Sequence, residues 1–204
     1  MIKEKEEVTE VTKDEFVKVI VYMITQIQLE PNNMEHIANS IGYSFSRLFK
    51  KKFWIFQYEL ICLFGALATI ATKEHLTGQP NLLKKIVEEV YLLLHEICFP
   101  SSTDPFHKLE WWLHTKEKSN KYIDKCQPWT SNSMSLMADM FIENLPKLRN
   151  KLFARAFLSA YIQSSYFSFQ EALDSYKIIN AENEEILAKN EYDDLDDEYD
   201  DLDE

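Results

Sequence analysis

FWIFQYELICLFGALATIAT, residues 53–72, is a twenty-residue run whose polar positions are Gln57, Glu59, Thr69 and Thr72, with Tyr counted among the apolar residues. A run of this length can cross a bilayer, and Lys50-Lys51-Lys52 ahead of it would suit a cytoplasmic flank. Two features point instead to a helix buried on all sides within a bundle. Glu59 falls inside the run, where hydrocarbon penalises a carboxylate. The neighbouring segments are apolar on one face only, and such faces need a central apolar partner. The sequence therefore predicts a core helix over 54–75, with Glu59 at a polar edge of the bundle, and no membrane partner.

Working outward, Phe16, Val19, Ile20, Met23, Ile24 and Ile27 follow the i, i+3, i+4 rule of a helix over 14–28, with Asp14 in its N-cap region. Pro31-Asn32-Asn33 interrupts the pattern, and short helices over 34–41 and 45–53 flank Gly42-Tyr43-Ser44. Beyond the core helix, Leu82, Leu83, Ile86, Val90, Leu93, Leu94 and Ile97 mark a helix from Asn81 that stops at Pro100. Further helices are expected from Pro105 to 125, with its cap within Ser102-Thr103-Asp104, then over 131–145, and from Pro146 to 179. Residues 1–12 read as a frayed leader, and no strand-like alternation appears. Only three Gly are present, at 42, 65 and 78. Phosphate-cradling loops, dinucleotide-binding turns and nucleophile elbows need more than that. The expectation is an all-α fold, a single bundle-like domain of roughly seven helices over 1–181. Within it, 14–53 would be a helix-turn-helix subdomain and 54–181 a helical core.

The net charge of −12 belongs to one segment. Residues 182–204 hold thirteen acids and one base, while the preceding residues hold 21 of each. This segment ends in a tandem heptad, EYDDLDD (191–197) and EYDDLDE (198–204). Its low hydrophobicity and self-repulsion predict a disordered acidic tail. It could solubilise the chain, or bait a basic protein partner through Tyr192, Leu195 and Tyr199. The three Cys (62, 98 and 126) are odd in number and widely spaced, and MIKEKEEVTEV lacks a secretory apolar run. Both observations suit reduced thiols in a cytoplasmic protein.

Residues 33–53, NMEHIANSIGYSFSRLFKKKF, meet the requirements of two helices joined at a tight turn. Asn33 would cap the first helix, with Met34, Ile37 and Ile41 inward and Ala38 small enough for a close crossing. Gly42 supplies positive φ, Tyr43 is the apolar turn residue, and Ser44 caps the second helix. Phe45, Leu48, Phe49 and Phe53 would share its inward stripe. Residues 45–53 carry four bases and no acid, which suits phosphate and base-edge contacts in a major groove.

The string apolar-x-x-Ile-Ala-x-x-x-Gly-apolar-Ser resembles the helix-turn-helix of the tetracycline-repressor-like (TetR-like) regulators, over residues 14–60. Leu48-Phe49 would be the family's Leu-aromatic pair, and the helix over 54–75 its linker. The chain departs from that pattern at Ser46-Arg47, where a small pair is usual, and at Phe53, which arrives one residue late. Residues 45–53 are also similar to the second helix-turn-helix of AraC-type activators. The TetR-like resemblance implies a homodimer, with 54–181 as its dimerisation part, that binds duplex DNA as a transcriptional regulator, with Ser44, Arg47, Lys50, Lys51 and Lys52 on DNA. The alternative is a non-enzymatic all-α adaptor that binds a protein partner, through its acidic tail.

Enzymatic chemistry finds little support, and no cofactor or metal is expected. His107, Glu110 and His114 share one helical face, but the two His lie about 10 Å apart along the axis, too far for one helix to supply a complete metal site. His95 and Cys98 sit one turn apart on what reads as a buried helix flank. Phe153, Phe157 and Tyr161 repeat every four residues among small residues, a row suited first to core packing and then to a dimer seam.

Overall fold

The computed structural model describes residues 8–44, 50–98, 105–127, 129–130, 132–145, 148 and 150–179, without the side chains of Lys50, Lys51 and residues 105–109. Among these residues the fold is all-α, with seven α-helices, one π-helical turn and one short parallel strand pair. The chain opens with β1 (Thr9–Val11), α1 (Lys13–Tyr22), the π-helical turn (Met23–Gln28) and α2 (Pro31–Ser40). It continues with α3 (Lys50–His75), α4 (Pro80–Cys98), α5 (Pro105–Lys125), α6 (Ser133–Asn144), α7 (Lys151–Asp174) and β2 (Tyr176–Ile178).

Helix α3 is the axis of the bundle. Its membrane-length apolar segment is mostly buried inside the protein, with α4, α5, α6, α7 and the π-helical turn packed around it. Phe56, Leu60, Cys62, Phe64, Ala66 and Leu67 are all fully buried. Gly65 permits one of the closest approaches: a methyl group at that position would lie 2.8 Å from the Tyr91 hydroxyl. Glu59 is not at a polar edge, as the sequence suggested, but only 3% exposed. Helices α5 and α6 bring its partners: Lys118 forms an ion pair with it, Tyr122 donates from 3.3 Å and Asn144 from 3.0 Å. The carboxylate is tolerated in the core because three donors replace its water.

Several helix boundaries differ from expectation for identifiable reasons. Thr12, not Asp14, caps α1, in a capping box with Glu15. Pro31 begins α2 instead of breaking it, because Pro suits the first helical position and the Glu30 side chain accepts from the Asn33 amide at 3.0 Å. The extra residue of the π-helical turn shifts the helical register. Gln28 therefore takes the inward place and accepts from Tyr161 and Ser165 at 3.0 and 3.4 Å, while Ile27 turns out to 44% exposure.

Toward the two ends of the described residues, parts of the expected leader and of the expected last turns of the final helix form strands instead. Thr9 pairs with Tyr176, Glu10 with Lys177 and Val11 with Ile178, in parallel. Three-residue strands are too short to show alternation in a sequence. The tail expected over 182–204 lies outside the described residues.

The buried carboxylate gives a direct test. Lys118→Met keeps most of the side-chain volume but leaves Glu59 without its counter-charge. The expected cost is about 3 kcal/mol in urea unfolding, the lower end for a broken buried pair, because Lys118 is itself a quarter exposed. Adding Glu59→Gln should restore part of the loss.

Candidate nucleic-acid interface

The end of α2 is shaped by a Schellman motif. Gly42 takes φ +70°, its amide donates to the Asn39 carbonyl at 3.0 Å, and the Tyr43 amide donates to Ala38 at 2.8 Å. These bonds satisfy the last carbonyls of α2 and turn the chain toward α3. Met34, Ile37, Ala38 and Ile41 are buried, as the motif requires. Tyr43 is buried as well, its ring stacked on Phe56 at 5.3 Å and its hydroxyl donating to the Lys52 carbonyl at 3.3 Å. Burial raises the pKa of that hydroxyl, so it remains a neutral donor.

The second half of the motif departs from expectation. A separate helix ending at Phe53 is not found: Lys50, Lys51, Lys52 and Phe53 are the first residues of α3, which continues unbroken to His75. No Pro or Gly stands between Lys50 and Ile61 to stop a helix once started. The boundary expected between a 14–53 subdomain and the rest thus falls inside one helix. Residues 45–49, with Arg47, lie outside the described residues. Helix α2 packs chiefly on α7 and the π-helical turn.

These elements enclose an open cleft of about 830 Å³, lined by Asn39, Ser40, Gly42, Tyr43, Ser44 and Lys52 on one side and by Leu148, Asn150 and Phe153 on the other. Two helices begin at it, and neither has an acid in its first turn. Asn150 caps α7, its side chain accepting from the Phe153 amide at 3.1 Å, which fixes the start of the helix against the cleft. Lys151 follows, exposed. Phe153 is 60% exposed, so the aromatic row on α7 is not all core. One turn on, Phe157 is half-buried with the exposed His36 edge-on to it at 5.9 Å, and Tyr161 reaches inward to Gln28. Among the described residues no acidic side chain lines the cleft.

Of the residues expected on DNA, the structure brings Ser44 and Lys52 together in this cleft and places the backbones of Lys50 and Lys51 in the adjoining turn. Sequence reasoning missed the α7 side. Its signal was legible, since residues 147–151, KLRNK, hold three bases and no acid. A second concavity of about 510 Å³ between α1, the π-helical turn and the end of α7 has, among the described residues, Lys18 as its only charged lining residue and otherwise mainly apolar walls, including the exposed Tyr22.

The remaining chemical candidates do not assemble. Glu110 and His114 form a loose exposed pair at 3.9 Å, and the side chain of His107 lies outside the described ones. Among the described residues no cluster of three or more His, Cys, Asp or Glu could hold a metal. His95 is buried against Trp111, ring centroids 5.1 Å apart, on the buried flank expected. No protein-family model matches the chain, and neither does any curated protein or solved structure.

The three thiols are held in their unreactive form. Burial pushes Cys62 up to about 12, and Cys98 and Cys126 up to about 11. The folded chain thus retains protons that unfolded thiols lose near pH 9. This contribution to stability is intact below that pH and lost as pH rises through the folded values. The midpoint of urea unfolding should therefore fall steadily between about pH 9 and pH 11, while a thiol reagent at neutral pH should leave Cys62 and Cys126 unmodified until the protein is denatured.

Proposed function

We propose that this protein is a non-enzymatic nucleic-acid-binding regulator that holds the phosphate backbone at the cleft between α2, α3 and α7. The observation that carries this reading is the meeting of two acid-free helix N-termini, each bearing exposed lysine, at one open concave site. Lys52 and Lys151 supply counter-charge for phosphate. The helix ends add their partial positive charge, and Ser44 and Asn39 offer neutral hydrogen-bonding groups at the same surface. This keeps DNA as the ligand suggested by the sequence but changes how it is approached. The tip of α3 faces the backbone, and no separate recognition helix is needed.

Charge reversal tests the proposal without endangering the fold, because acids are favourable in a first helical turn. Lys50→Glu with Lys51→Glu and Lys52→Glu should leave helical content unchanged and abolish binding to DNA at low salt. Lys151→Glu alone should weaken it by roughly tenfold. Wild-type protein that fails to bind any nucleic acid at low salt would sink the proposal.

The acidic segment 182–204, with its net −12, is a covalently attached rival for the same lysines. Its deletion should tighten binding, most strongly at low salt where screening is weakest. A titration of full-length and shortened chains at two salt concentrations checks both the direction and the salt dependence.

A further inference from the structure

Resting on the reading of the cleft as a nucleic-acid site, we infer that its ligand is single-stranded, with a base stacked on Phe153 and the flanking phosphates on Lys52 and Lys151. Three observations favour an open strand over a duplex. First, Lys50–Lys52 are the tip of a helix whose next turns are committed to the core, Phe56 and Leu60 being fully buried. At that end of the helix the exposed part is confined to the first turns, with Lys52 and Trp54, a shorter face than the one a helix usually lays along a major groove to read a duplex. Second, the site is concave, about 830 Å³, the size of a small-molecule pocket. It suits a few unstacked nucleotides better than the convex edge of a double helix. Third, Phe153 stands in the wall of the cleft with more than half of its surface exposed. An exposed apolar ring beside lysines has an evident ligand in an unpaired base, whose π-face is free. Bases within a duplex are already stacked on one another.

The neighbouring groups fit this arrangement. The Asn150 side chain is engaged by the Phe153 amide, so the backbone beneath the ring is pinned and little conformational freedom is lost on stacking. Asn39, Ser40 and Ser44 line the opposite wall and can donate to or accept from a base edge. His36 lies edge-on to Phe157 one helical turn along α7, a second ring past which the strand can run. The described residues of the lining include no carboxylate to repel phosphate.

Fluorescence anisotropy with the full chain, using labelled oligonucleotides of about 16 nucleotides, separates the possibilities. The probes are oligo(dT), oligo(rU) and a mixed-sequence duplex of equal length, with vesicles containing anionic lipid as a further arm. One or both single strands should bind at least tenfold more tightly than the duplex, and their ratio tells DNA from RNA. Phe153→Ala should weaken single-strand binding by about tenfold with an unchanged circular dichroism spectrum, and Phe153→Tyr should restore it. Equal or tighter binding of the duplex, or indifference to Phe153→Ala, would overturn this inference while leaving the phosphate-binding reading intact. Binding to vesicles with no binding to any oligonucleotide would overturn both.

Discussion

Helix α3 is apolar on nearly every side, and beyond its first turns the protein is arranged so that most of that surface is kept from water. A helix with one apolar face needs one neighbour, whereas this one needs a complete jacket. Helices α4 to α7 and the π-helical turn provide it, and their own polar faces then become the protein's surface. The same constraint explains the treatment of Glu59. Once the jacket closes, a carboxylate in the middle of α3 has no water, so Lys118, Tyr122 and Asn144 converge on it. Gly65 answers a steric demand of the same packing, since the Tyr91 ring occupies the space a larger residue would fill.

Committing α3 to the core also decides what its first turn can do. Lys50–Lys52 cannot belong to a free-standing helix, because the residues that follow are held inside the bundle. Their positive charge is instead concentrated at a point where α7 also begins. The cleft is thus a by-product of how two core helices start side by side, bounded by the Gly42 turn that brings α2 to them. The bonds of the Schellman motif, the Tyr43–Phe56 stack and the Asn150 cap tie the elements around the cleft together.

The amino-acid sequence by itself determined the helical class, the burial of most of 54–75, the Gly42 turn, the location of the charge and most inward residues of α4, though not Ile97, which is 47% exposed. Each of these follows from a local property: periodicity, a conformational need for positive φ, or a count of ionised groups. The π-helical turn escaped because a single inserted residue leaves the periodic pattern nearly intact while exchanging Ile27 for Gln28 at the inward position. The two strands escaped because three residues are too few to display a period, and because their pairing joins Thr9 to Tyr176 across almost the whole described chain.

Only the tertiary structure decided which polar groups meet. Glu59 and Lys118 are 59 residues apart and Glu59 and Asn144 85, and no spacing rule connects them. The same holds for the cleft. Lys52 was singled out from its neighbours in sequence, but Asn150, Lys151 and Phe153 join it through the packing of α2 and α3 with α7. Side-chain chemistry and helical period are written along the chain, whereas a site assembled from distant segments depends on how apolar faces find their partners. For this protein that is the requirement that α3 be covered on every side.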